Sequence, residues 1–195
     1  MHEIAQAAIG QIPPACRVLP EHAETIRRNA DALLALGPDV VAAFYDTLYS
    51  YGPTAAVFAD GERAMREETL AGWWKRTVQG PLDDSYWAWM AMVGLIHVTR
   101  RVSNPMMLSM TDFVAAFLVR NVHRLDMAPD ERQRLIEAFC RVAFMTSAVI
   151  TWSSDHAVSS ALFEVAGMPQ ALLARLRDTE INNEEIGRAS CRERV

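Results

Sequence analysis

Only three cysteines, Cys16, Cys140 and Cys191, occur in 195 residues, and they form neither a CxxC pair nor an even framework. This speaks against a disulfide scaffold and favours a reducing cytoplasm. No segment is strongly basic and the net charge is −5, so the electrostatic footprint of a nucleic-acid binder is missing. Apolar runs such as "MVGLI" and "AFLV" fall well short of the roughly 20 residues a spanning helix needs, so no membrane partner is expected. The start, "MHEIAQAAIG", lacks the charged-then-apolar order of a secretory signal. Also missing are HExxH, an acidic EF-hand loop, the Glu-x-x-His of di-iron bundles, a glycine-rich phosphate loop and G-x-S-x-G. Strand signals are nearly absent, and there are no repeats or low-complexity tracts.

What is present is apolar residues, at 51% of the chain, and dense helix punctuation. That content supports a sizeable core, and the length suits one compact domain, or one domain plus a short appendage. An N-terminal arm (1–20) holds Pro13, Pro14 and Pro20. Residues 21–36 carry Ile26, Ala30, Leu33 and Leu34 at helical spacing, with Gly37 closing that helix and Pro38 opening the next. Residues 38–51 align Val41, Phe44, Tyr45 and Leu48, and stop at Gly52-Pro53. Residues 62–79 place Arg66, Thr69, Leu70, Trp73 and Thr77 on one side and end at Gly80-Pro81. Asp83 or Asp84 caps the helix that follows, and Ser103-Asn104-Pro105 separates it from long apolar helices over 105–125 and 129–153. An amphipathic piece, a helix or linker, covers about 155–184. The fold class is all-α, with seven to nine helices and a main domain over 21–154. The last stretch, "EIGRASCRERV" (185–195), breaks the helical pattern and resembles the translation of a sequencing adapter. It is expected to be a non-native tail, and a natural chain could continue into an output domain.

Within "DDSYWAWMAMVGLIHVTRRV" (83–102), Tyr86, Met90, Val93 and His97 share one helical stripe, so His97 points where a core belongs. One reading is a buried neutral imidazole bonded to a carbonyl, with Met90 as packing. The other is a metal ligand. Gly94 costs about 1 kcal/mol against alanine inside a helix, which close approach of another body would justify. That body is either a flat macrocycle or a second helix. The five histidines never cluster, so a metal held here must bring most of its own coordination sphere. Haem does so, needing one imidazole at its fifth position.

"VVAAFYDTLYS", "REETLAGWWKRTVQGPLDDSYWAWMAMVGLIHVTRR" and "FCRVAFMTSAVITWSS", spanning roughly 38–154, resemble the protoglobin and globin-coupled-sensor family. Gly-x-x-His at 94–97, after the Asp-Asp cap, is the most specific element, and Phe44-Tyr45 corresponds to the family's distal tyrosine motif. The resemblance implies a globin-like fold with an extra N-terminal helix, for which 21–36 stands. It also implies haem b (iron protoporphyrin IX) held by His97, whose second ring nitrogen donates to a carbonyl of the preceding turn. Tyr45 would then donate to bound dioxygen, and Thr69 is a weaker donor on the same side. Phe44, Leu70, Trp73, Met90 and Val93 are apolar haem contacts, beside Gly94. Arg66, Lys75, Arg76, Arg100 and Arg101 are the cations near enough for the two propionates. The chain departs from the family after His97: "VTRRVSNPMMLSM" keeps Pro105 but lacks a glycine and a Trp-Tyr pair, for which Trp87, Trp89 and Trp152 could supply volume.

The function implied is reversible binding of O₂, CO or NO by a sensor domain, a homodimer through helices 105–125 and 129–153. Two alternatives stay open. A haem enzyme with peroxidase-like or NO dioxygenase turnover would take electrons from outside, because no flavin or nicotinamide motif is visible. A haem-free helical dimeric scaffold would leave His97 in the core.

Overall fold

The computed structural model describes residues 1–181, and the expected tail (185–195) lies outside them. Among the described residues there are nine α-helices, two 3₁₀ turns and no strand, as an all-α chain requires. The helices are α1 (His2–Gly10), α2 (Pro20–Arg28), α3 (Ala30–Ser50), α4 (Gly52–Ala55), α5 (Arg63–Gln79), α6 (Asp84–Thr99), α7 (Asn104–Asn121), α8 (Pro129–Ala166) and α9 (Gln170–Ile181). Met1–Ser154 form one compact unit, and the chain from Asp155 belongs to a second.

The expected helix break at Gly37-Pro38 does not occur. Helix α3 runs through it with Pro38 inside, although an interior proline removes a donor and costs about 3 kcal/mol. Gly37 serves a different purpose: a Cβ there would lie 3.2 Å from Trp74 Cδ1, so the glycine lets α3 close on α5. Trp74 is in turn fully enclosed and donates from Nε1 to Leu33 O at 2.9 Å. The actual break falls at Asn29. Its Nδ2 donates to Thr25 O (2.9 Å) and to Glu131 Oε1 (2.8 Å), and Arg28 Nη2 reaches the same oxygen at 2.7 Å. Arg28 first, then Asn29 and Arg134, hold the Glu131 carboxyl down at about 2. A carboxylate on α8 thus fixes a bend between α2 and α3.

The N-terminal arm contains a helix. Ala5, Ala8 and Ile12 are buried against Tyr86, Trp87, Met90 and Ala91 of α6, with Met145, Val149 and Ile150 of α8 in the same cluster. A second cluster joins Leu33, Val40, Trp74, Leu118, Leu135 and Phe139 across α3, α5, α7 and α8. A third, smaller cluster has Val41, Tyr45, Leu48 and Met110 at its centre.

Helix α8 outruns its expected end near 153 and stops only at Gly167, whose φ of +62° suits glycine. By length and composition Pro129–Val165 could cross a bilayer, which the short unbroken apolar runs did not suggest. Half of its most apolar window is buried inside the protein.

Candidate functional site

Asp83 sets the phase of α6. Its Oδ1 accepts from the backbone N–H groups of Ser85 and Tyr86 at 3.0 Å each and from Ser85 Oγ at 2.7 Å. The Ser85 hydroxyl, above all, holds the Asp83 carboxyl below its ordinary range. With that start, Tyr86 and Met90 fall wholly inside the core. Val93 and His97, further along the same stripe, are only half-buried. The stripe therefore leaves the core as it approaches its histidine.

His97 Nδ1 has no solvent contact and no hydrogen-bond partner. The expected donation from the ring to a carbonyl of the preceding turn is not made through this atom. Burial lowers the imidazole's pKa below the usual 6.5, so the neutral ring is favoured. An unpartnered buried polar atom costs about 1–3 kcal/mol, a cost a bound ligand would remove.

Tyr45, on α3, is 6% exposed, and its hydroxyl donates to Arg66 O at 2.7 Å. Burial is the main cause that pushes its pKa up to about 12, so it remains a protonated donor. Phe44 meets its ring edge-on at 5.3 Å, and Phe58 does so at 6.0 Å. Leu70 packs half-buried against the same cluster, and Trp73 bridges the two larger ones. Thr69 is exposed, and its hydroxyl donates back one turn to Met65 O at 2.9 Å.

The Protoglobin family model matches residues 17–152, most of the chain and all of the site just described. The chain belongs to the Protoglobin family. Membership implies a globin-like all-α fold, haem binding and a diatomic gas as ligand. A search among curated proteins finds no match.

Donor chemistry in this protoglobin-family chain fits that group. Among the described residues no three His, Cys, Asp or Glu side chains gather to hold a bare metal ion. A single neutral-favoured imidazole with a bare buried nitrogen suits a metal that carries its other ligands with it. Of two surface grooves, about 520 Å³ beside Pro20 and Leu82 and about 470 Å³ between α3 and α5, neither is lined by His97 or Tyr45.

Gly94 is close to α8. A Cβ on it would lie 2.6 Å from Ile150 O and 2.8 Å from Ser153 Cβ. Ser153 Oγ donates to Ala91 O at 2.6 Å, and Ser154 Oγ donates to Gly94 O at 3.1 Å. The gap beside the histidine takes a helix. Met90 is likewise enclosed, in the cluster shared with α1 and α8.

Among the five candidate cations, Arg66 and Arg100 converge on one carboxylate, Glu62. Arg76 lies 4.5 Å over the Trp89 ring instead. Sequence reasoning passed over Glu62, although its spacing of four from Arg66 is an ion-pair signal on a helix. It also passed over Tyr49, one turn beyond Tyr45, whose hydroxyl is buried without a partner while its ring stacks on Phe58 at 5.1 Å. Trp87 is buried, donating to Leu82 O at 3.1 Å, whereas Trp152 is 38% exposed.

Proposed function

We propose that the chain is a cytoplasmic, haem-b gas-sensor domain in which His97 is the proximal ligand and Tyr45 the distal donor. The observation that carries this is the buried, unpartnered Nδ1 of an imidazole that its surroundings keep neutral. When bound, haem would supply an iron able to take up O₂, CO or NO. His97 orients the group, and the half-buried Phe44, Leu70, Trp73 and Val93 have apolar surface left to cover it. Tyr45, kept protonated, reaches a gas by exchanging its bond to Arg66 O for one to the ligand. The free cysteines Cys16 and Cys140 accord with a reducing compartment.

Sensing would travel along α6 to α8. Ser153 and Ser154 grip the carbonyls of Ala91 and Gly94, one to two turns before His97, so a displacement of the histidine pulls on α8. Helices α7 and α8 leave Leu108, Val119, Phe144 and Trp152 exposed, which supports their pairing with a second copy in a homodimer. An output domain joined beyond the helical part would receive the shift.

The deciding experiment is an absorption spectrum of the purified chain with added haem, beside His97→Ala. A strong Soret band lost in the variant is expected, and an identical spectrum in both removes the assignment. For the dimer, sedimentation is expected to give twice the chain mass, and a clean monomer at high concentration refutes the interface mechanism.

A further inference from the structure

Three charged side chains meet at one point, two of them one helical turn apart on α5 and the third 38 positions from Glu62. Glu62, the N-cap of α5, accepts from Arg100 Nη2 at 2.6 and 2.7 Å and from Arg100 Nη1 at 3.3 Å. Its Oε1 also takes Arg66 Nη2 at 3.3 Å. Arg100 ends α6, one turn beyond His97, and Arg66 is the residue whose carbonyl holds the Tyr45 hydroxyl. The cluster therefore ties the histidine's helix to the tyrosine's partner.

Its charges do not balance. Two guanidinium groups face a single carboxylate, and Arg66 Nε is buried with no acceptor at all. Arg63, next to Glu62, is instead paired with both Asp46 and Glu67. Arginine presents a planar fork suited to carboxylate oxygens, and here one donor of that fork is left over. The seat suits a carboxylate that can use this last donor, and it is held meanwhile by one of the protein's own.

We propose that Arg66 and Arg100 form the seat for a porphyrin carboxylate, and that Glu62 is the resident carboxylate displaced on loading. The proposal rests on the His97 reading and goes beyond it, because it makes Glu62 a competitor of the cofactor. Replacing one carboxylate by another leaves the Coulomb attraction nearly unchanged. The incoming group gains the unused Arg66 donor, and Glu62 turns to water. Loading is then opposed by Glu62 and driven by both arginines. An ion pair that merely stabilises the fold carries the opposite sign at Glu62.

The test titrates the full chain in its haem-free form with haem and, in parallel, with haem dimethyl ester, whose carboxylates are blocked. Binding is read by the Soret band and by quenching of tryptophan fluorescence. Arg66→Ala and Arg100→Ala are each expected to weaken haem binding about tenfold, the loss of one charge-assisted pair, and to leave ester binding unchanged. Glu62→Gln is expected to tighten haem binding severalfold without affecting the ester. Circular dichroism of each haem-free variant reports folding, and Arg66→Lys and Arg100→Lys, which keep the charge but lose the fork, stand in for an alanine variant that does not fold. Weaker haem binding by Glu62→Gln, or equal losses for haem and ester in the arginine variants, overturns the proposal. Haem binding that depends on His97 but is indifferent to all three positions sinks the seat alone, and no binding by the unaltered chain sinks both readings.

Discussion

Replacing Gly94 by alanine sets two opposed effects against each other, and their magnitudes decide the sign. Alanine gains about 1 kcal/mol of helix preference over glycine. Its methyl carbon, however, would stand 2.6 Å from Ile150 O and 2.8 Å from Ser153 Cβ. One neighbour is backbone and the other a Cβ, so neither can rotate aside and α8 must retreat. Overpacking of this kind costs about 1–3 kcal/mol. Retreat also stretches the bonds from Ser153 to Ala91 O and from Ser154 to Gly94 O, now 2.6 and 3.1 Å, each worth about 1 kcal/mol. The expected net loss is about 2–4 kcal/mol, which lowers the melting temperature of a chain this size by roughly 5–15 °C. Urea denaturation of the haem-free protein measures it directly, with an unchanged slope and a lower midpoint. A variant as stable as the parent, or more stable, would refute the packing argument. In that case the gap faces something removable, and helix preference alone governs the haem-free state.

Tyr45→Phe leaves Arg66 O without its donor inside the fold. A loss of about 1–2 kcal/mol is expected in denaturation of the haem-free chain, with faster gas dissociation by flash photolysis of the haem complex; unchanged values in both assays remove Tyr45 from the site. His97 makes stability fall on the acid side. Its folded-state pKa lies below 6.5, so the unfolded chain takes up the proton first, and the contribution is complete above 6.5 and lost as pH falls toward the depressed value. His97→Leu is expected to flatten the denaturation midpoint across that window, and a profile identical to the parent's means that the ring is not buried as described.

Local signals carried the element types well and the pairings poorly. Asp83 announced its helix because capping depends on atoms two and three residues away, and Pro129 did the same for α8. Gly37-Pro38 carries an equally local signal, a stop, yet α3 continues through it, and a Cβ on its glycine would crowd Trp74 of another helix. Asn29, with no strong local signal, is the true bend because Glu131 is about a hundred residues downstream. The candidate site divides along the same line. His97 and Tyr45 can be picked out from their stripes, but the link between their surroundings runs through Glu62 and Arg100, 38 positions apart. At Gly94 the sequence shows that some body comes close and is silent on which one. Helix α8 is that body, so the glycine marks a helix contact. On the proposed haem reading, two arginines and a glutamate, rather than the glycine, are where the cofactor's own charges should be sought.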